Sequence, residues 1–452
     1  MKKIFSFCFI FLCHFIYAQN INISDEYIIA SGMSADWGND YPHVMLSSDE
    51  SPMFVYSDSY DSSLYISKLS TSPLFLQTVK INPDYTKIVL PDWDCTNSDK
   101  PSDTVYIVYK THNNNGSIYL SRSFDGGLNI EDTVLVDSIT PGVTESRFPS
   151  ITSKDNNVSV SYMTGVSMSS NQYVFANSFD YGDFFNSDID ATSFSGNIVC
   201  DCCFSKPLIY GNNNENRLLL YRNVDVFSNP PVRDIWSSFS YDNGNTFINT
   251  FDVDSTEWQI NACPSQAPDA VIHNNTLFYV FSSGGLGLNK IYFYGLDLNS
   301  EEVLFDKLVA NTMFNEIHKN PRISGKDGVF GVVWERIISG DHDIMFSYSL
   351  DGISFSNPIV VNDNNIGKQK QPDLFYHNGI FHVVFSDEYL QEIVYKTIDL
   401  SILINVNNNI FNSNSKNLKT TDVLGRDIEF KKNTIFLNFK EDGSVEKKIV
   451  ID

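Results

Sequence analysis

Five cysteines lie beyond residue 18, and four of them fall in two short segments, Cys200-Asp201-Cys202-Cys203 and Cys263-Pro264, with Cys95 apart. Such a grouping has two chemical readings. In an oxidising compartment it forms one or two disulfides that staple neighbouring loops and leaves a thiol over. As thiolates, the three sulfurs of C-x-C-C and that of Cys263 make a four-ligand metal set, although the two segments lack the paired C-x-x-C knuckles of a zinc ribbon or finger. The disulfide reading is preferred, with Cys200 or Cys203 joined to Cys263, and no cofactor is expected. Carboxylate recognition is the second chemistry on offer, because a guanidinium fork matches the two oxygens of a carboxylate. The arginines between residues 19 and 406 are few: Arg122, Arg147, Arg217, Arg222, Arg233, Arg322 and Arg336. Several stand beside acids, as in Arg233-Asp234 and Glu335-Arg336 with Asp343 following. Taken singly, each arginine reads more plainly as a salt bridge or a loop hydrogen bond.

Any such set must be positioned by a scaffold, and the chain repeats itself. Four segments run Ser123-x-Asp125, Ser178-x-Asp180, Ser240-x-Asp242 and Ser349-x-Asp351, each followed by glycine and an apolar side chain. The pattern suits a tight turn: the aspartate accepts backbone N–H groups inside the loop, and glycine takes a positive φ. A second marker is a proline opening an apolar strand, at Pro42, Pro149, Pro207, Pro268, Pro321 and Pro372. From Pro42 to Pro372 there are six steps averaging about 55 residues, and the serines of the turns keep the same period.

Within each period an unbroken apolar run recurs, as in Val105–Tyr109, Val158–Tyr162, Leu277–Phe281 and Phe381–Phe385. Runs of that length fit strands buried on both faces between stacked sheets. Seven units of three or four strands predict an all-β fold, a six- to seven-bladed β-propeller with seven preferred, spanning residues 19–406. Tyr27-Ile28-Ile29-Ala30 is expected to complete the last blade and leave no open edge. In such a ring the functional mouth is built by the loops that lead into the innermost strands, just before each marker proline, and by those between the second and third strands. The cysteine segments and most of the arginines fall there.

The S-x-D-x-G turns resemble the Asp-box, or BNR repeat, of the sialidase-like propellers, although sialidases have six blades. The resemblance implies structural roles for Asp125, Asp180, Asp242 and Asp351. For an active sialidase it further implies three arginines gripping a substrate carboxylate, an aspartate acid/base and a tyrosine–glutamate nucleophile pair. Arg147-Phe148-Pro149 is similar to the R-I-P strand that supplies one such arginine, displaced here to the third unit. The candidate ligand-binding residues are therefore Arg147, Arg222, Arg233, Asp234, Arg322, Glu335, Arg336 and Asp343, and no catalytic set can be named. Two readings follow: a non-catalytic propeller that binds extracellular glycan or another surface ligand, ranked first, and an exo-acting glycoside hydrolase of sialidase type. A metal or redox role for Cys200, Cys202, Cys203 and Cys263 is the third.

The ends of the chain differ from its body. Met1-Lys2-Lys3 followed by the apolar run Ile4–Ile16 and Ala18 has the make-up of a secretory signal over residues 1–18, too short to span a bilayer comfortably. Residues 407–416 form an Asn/Ser linker. Residues 417–452 carry Asp422-Val423-Leu424-Gly425-Arg426 and a closing Asp442-Gly443-Ser444 turn, read as a small β-sandwich-like module. This tail resembles the type A C-terminal sorting domain of the Bacteroidetes type IX secretion system, which implies that machinery as a partner and a secreted or outer-surface destination. A net charge of −24 argues against nucleic acid and anionic lipid as partners. No later stretch predicts a membrane span, and a monomer is expected.

Overall fold

The computed structural model describes residues 21–33 and 42–404, apart from short breaks at 72, 85, 113–115, 138–144, 166–169 and 197, together with the strands at 417–422, 435–440 and 445–449. The signal segment and the linker lie outside the described residues. So does the Asp442-Gly443-Ser444 turn.

Seven antiparallel sheets make a seven-bladed β-propeller. Their first strands are His43–Leu46, Ile88–Thr96, Glu145–Lys154, Lys206–Tyr210, Asp269–His273, Glu316–Lys326 and Gln369–His377. Residues from all seven line one central cavity, so these are the innermost strands. The second strand of each blade carries the apolar run expected from sequence: Val105–Tyr109, Val158–Tyr162 and Leu218–Tyr221 are buried along their length.

Large side chains from adjacent blades fill the spaces between sheets. Leu218, Leu220 and Phe239 of blade four pack with Tyr279, Phe281 and Tyr292 of blade five. Phe278 of blade five meets Phe330 of blade six at 4.5 Å between ring centroids. Each such buried aromatic contributes roughly 1.5–3 kcal/mol, so the interfaces hold the ring together.

Blade seven takes its outer strand from the start of the chain. Tyr27–Ser31 pairs antiparallel with Glu392–Asp399, with Tyr27 opposite Tyr395 and Ser31 opposite Glu392. The expected closure is therefore present, and it covers the edge that an open ring would leave.

The four S-x-D turns link the third and fourth strands of blades two, three, four and six, and they share one geometry. In each, the serine hydroxyl donates to the aspartate, at 2.8 Å for Ser123–Asp125, 2.7 Å for Ser178–Asp180, 2.8 Å for Ser240–Asp242 and 2.9 Å for Ser349–Asp351. The same carboxylate then accepts backbone N–H groups further along, those of Leu128, Phe184, Thr246 and Ile353. A left-handed φ is required within each turn and is met by glycine, as at Gly244 with φ 79°.

A separate unit contains three C-terminal strands, Asn417–Asp422, Ile435–Lys440 and Val445–Ile449, in one antiparallel sheet. Among the described residues no helix is long and apolar enough to cross a membrane.

Candidate functional site

The innermost strands are not regular, and their irregularity aims side chains at the axis. In blades three, six and seven the residue before the marker proline adopts a left-handed φ: Phe148 at 51°, Asn320 at 51° and Gln371 at 52°. At the same places the strand register slips, between Arg147 and Ser150, Lys319 and Arg322, and Lys370 and Asp373. Each is a bulge, which bends the strand and re-aims the next side chain. The residue after the proline then faces the centre.

Two buried carboxylates hold these bulges. Glu335, fully buried, accepts Asn320 Nδ2–H at 2.7 Å and the Gln371 N–H at 2.9 Å, so it fastens the bulges of blades six and seven together. Its charge is met by Lys319 at 3.5 Å and His342 at 3.1 Å. Burial alone would raise the Glu335 carboxyl, but these partners hold it below the usual range. Asp92 accepts the Phe148 N–H in the same way and faces Lys110 at 3.6 Å. Burial outweighs that lysine and pushes Asp92 up to about 6.

Around the axis stand His43, Asp94, Lys206, Asp269, Arg322 and Asp373. His43 lies between two acids, with Nε2 3.5 Å from Asp94 and Nδ1 3.2 Å from Asp373, and its ring meets Trp93 edge-on at 5.1 Å. Lys206 pairs with Asp269 at 2.7 Å. Burial would lower the Lys206 ammonium, but Asp269 and Asp94 hold it above its ordinary value. Asp373 is likewise pushed up by burial and pulled further down by His43 and Arg322, so it stays ionised.

Three of these aspartates also clasp the neighbouring blade. Asp94 accepts the Ile151 N–H at 3.1 Å, Asp269 that of Ile323 at 2.9 Å and Asp373 that of Val44 at 3.0 Å. The clasps fix the carboxylates without exhausting them, since each oxygen pair accepts several bonds.

A mouth lined by His43, Trp93, Asp94, Phe204, Lys206 and Arg322 opens at this level, with Ser150, Asn320 and Gln371 also on its wall. It shares His43, Asp94, Lys206 and Arg322 with the central cavity of about 310 Å³ below it. That volume falls at the lower end of the range for small-molecule sites.

Of the arginines singled out from sequence, Arg322 lines both mouth and cavity. Arg147 precedes its bulge and stays within blade three, with Nη2 3.3 Å from Asn171 Oδ1 and the guanidinium over Phe148. Arg222 is fully buried between blades four and five, donating to the carbonyls of Arg233 at 2.6 Å and Ser282 at 3.0 Å and stacking on Trp258. Asp234 accepts the Trp258 N–H at 2.8 Å, and burial together with Asp254 pushes it up to about 8. Arg336 and Asp343 pair at 2.7 Å across two strands of blade six. The eight candidates thus divide among four places: Arg322 at the axis, Arg222, Arg233 and Asp234 beside the cysteines, Glu335, Arg336 and Asp343 in blade six, and Arg147 in blade three.

The cysteines do meet, in the loops leading into blades four and five. The expected bridge from Cys200 or Cys203 to Cys263 is not the one formed: Cys202 is bonded to Cys263, with Cα atoms 6.5 Å apart. The reason lies in the loop's direction. Cys200 and Cys203 turn fully into the interior, whereas Cys202 stays partly exposed, as does Cys263. Arg233 Nη1 lies 3.4 Å from Cys200 Sγ. The Cys200 thiol is pulled down to about 7, first by its hydrogen bond with Cys203 and then, against burial, by Arg222 and Arg233.

His43, Asp94, Lys206, Asp269 and Asp373 are absent from the sequence-derived candidates. For all but Asp94 a signal was present: His43, Asp269 and Asp373 each directly follow a marker proline, as does the candidate Arg322, and Lys206 directly precedes one.

No protein-family profile matches this sequence, and no curated protein matches it. Solved structures share the fold. A lectin, BP39L from Burkholderia pseudomallei, superposes with a TM-score of 0.53 at 9% identity, covering 82% of this chain and 97% of the lectin. The GH93 α-L-arabinofuranosidase of Fusarium graminearum gives 0.49 at 12% identity over 74% of this chain and 99% of its own. Trypanosoma rangeli sialidase gives 0.46 at 11% identity, with 83% of this chain and 65% of that chain covered.

Proposed function

We propose that this propeller binds glycan at its axial mouth, with Arg322 and Lys206 addressing an acidic group of the ligand and His43 and Asp94 its hydroxyls. The carrying observation is the ring of His43, Asp94, Lys206 and Arg322 at the junction of the mouth with the 310 Å³ cavity. Aromatic wall and convergent polar groups are what a sugar needs, since its C–H faces pack on rings and its hydroxyls require directed partners. That a lectin shares the fold supports a binding reading.

Binding is favoured over glycoside hydrolysis on one specific ground. A hydrolase of the two-carboxylate type needs one acid held protonated and one carboxylate ionised. In the central cavity Asp373 is held ionised, whereas Asp92, which is raised to about 6, is buried outside the mouth and the cavity and is occupied by the Phe148 N–H and Lys110. Export completes the proposal: the N-terminal segment takes the chain out of the cytoplasm, and the C-terminal module hands it to a type IX machinery that leaves it secreted or at the outer surface.

The test is calorimetric titration with neutral and with uronate- or sialate-bearing oligosaccharides, comparing the native chain with Arg322→Ala. Acidic glycans are expected to bind, with affinity falling roughly tenfold or more in the variant, as for a lost charge-assisted bond. Absence of any glycan binding, or binding untouched by Arg322→Ala, rejects the proposal. Release of free sugar from a fluorogenic glycoside by the native chain would move the assignment to the hydrolase.

A further inference from the structure

Beside the mouth, four sulfurs are gathered more tightly than one disulfide requires. Cys200 Sγ lies 2.8 Å from Cys203 Sγ, 3.4 Å from Cys263 Sγ and 4.0 Å from Cys202 Sγ. All four sulfurs fall within 4.8 Å of one another. A tetrahedral thiolate site with metal–sulfur bonds of about 2.3 Å has sulfur–sulfur edges of roughly 3.8 Å. Two of the separations, 3.4 and 4.0 Å, lie close to that edge, while Cys200–Cys203 at 2.8 Å and the bonded Cys202–Cys263 pair are shorter and would have to open to admit an ion.

The surroundings suit an anion. Arg233 Nη1 is within 3.4 Å of Cys200 Sγ, and the Ser265 hydroxyl lies 3.7 Å from Cys263 Sγ. The fully buried Arg222 has its Nε without a hydrogen-bond partner, and its charge bears on both Cys200 and Cys203. Arg222 also holds the carbonyls of Arg233 and Ser282, but a neutral pair of disulfides would leave both guanidinium charges without an anion beside the sulfurs. A divalent ion with four thiolates is a buried dianion, which needs cations and N–H donors around it.

We propose that, with its thiols reduced, the chain binds one borderline-soft divalent ion such as zinc through the Sγ atoms of Cys200, Cys202, Cys203 and Cys263. The ion replaces four S–H protons, which are released to water, and no electron moves. The Cys202–Cys263 disulfide is the two-electron oxidised form of the same cluster and excludes the ion by removing two of its ligands. The bound ion ties the loop of blade four, which carries Phe204 and Ser205, to that of blade five, which carries Ser265. All three residues line the mouth.

The chain is kept reduced with a phosphine, desalted without oxygen and titrated with Co²⁺, then with Zn²⁺. Expected are the sulfur-to-cobalt charge-transfer and visible bands of a tetrahedral thiolate site saturating at one ion per chain, displaced by one equivalent of zinc. Alkylation followed by mass spectrometry should then show four cysteines protected by zinc and Cys95 reacting independently of it. Arg233→Gln, which leaves all ligands in place, should weaken zinc binding roughly 10- to 100-fold, as outer-shell substitutions do. Cys203→Ser should remove much of the charge-transfer intensity, with circular dichroism checking that the variant folds. A reduced, folded native chain that shows no thiolate–cobalt bands, or whose cysteines alkylate equally fast with and without zinc, overturns the proposal.

Discussion

His43 of the first blade and Asp373 of the seventh meet across the seam of the ring, the imidazole Nδ1 lying 3.2 Å from a carboxylate oxygen that also accepts the Val44 N–H at 3.0 Å. One side chain thus both joins the two end blades and orients a residue of the mouth. Asp373→Ala leaves a buried imidazole and a backbone N–H without their acceptor, which should cost about 2–4 kcal/mol. Asp373→Asn keeps an acceptor oxygen and should cost less. Denaturant unfolding of both variants checks the order.

Arg147 and Arg322 should separate cleanly in binding. Arg147 is engaged inside blade three by Asn171 and Phe148, whereas Arg322 lines the mouth. Titration with an acidic glycan should show affinity lost in Arg322→Ala and retained in Arg147→Ala. Loss in Arg147→Ala with an unchanged melting temperature would move the ligand away from the axis.

The S-x-D turns should matter to stability alone. In Asp242→Ala the Ser240 hydroxyl loses its acceptor and the Thr246 N–H and hydroxyl lose theirs, bonds of 2.8, 2.9 and 2.7 Å. The turn is at the surface, so a loss of about 1–2 kcal/mol is expected. Thermal unfolding measures it, and glycan affinity at a temperature below the transition should stay the same.

Asp234 gives a pH dependence of known sign. Its folded value, about 8, is above the 3.8 of the free group, because burial and the Asp254 carboxylate disfavour the charge. Between those two values the folded state holds a proton that the unfolded chain has released, so this group's contribution falls as pH rises from about 4 to about 8. Asp234→Asn removes the proton and keeps an acceptor for the Trp258 N–H. The variant should be more stable than the native chain near neutral pH, with the gain shrinking towards pH 4. Melting temperatures across that range decide it, and a gain independent of pH would contradict the assignment.

Seven blades were legible because strands buried on both faces are written as apolar runs such as Val105–Tyr109, and because prolines opened the innermost strands at a constant step. The mouth was legible only as a set of loops. In blades three, six and seven the residues are selected by the bulge at Phe148, Asn320 and Gln371, which turns inward the residue after the proline, Ser150, Arg322 or Asp373. A left-handed φ at a phenylalanine or glutamine has no compositional mark, so Asp373 looked like an ordinary strand opening. The same limit applied to Glu335: its sequence neighbours suggested a ligand contact, while its geometry shows the clamp on two bulges. Cysteine pairing depended on the turn of one loop, which spacing alone does not encode.

The strand Tyr27–Ser31 completes blade seven by pairing with Glu392–Asp399. The first part of the ring to be synthesised is therefore the last to be placed. Because the two partners stand at opposite ends of the ring's sequence, this pairing can form only once the chain has been made as far as residue 399, and the closed ring is a property of the whole propeller and of no single blade.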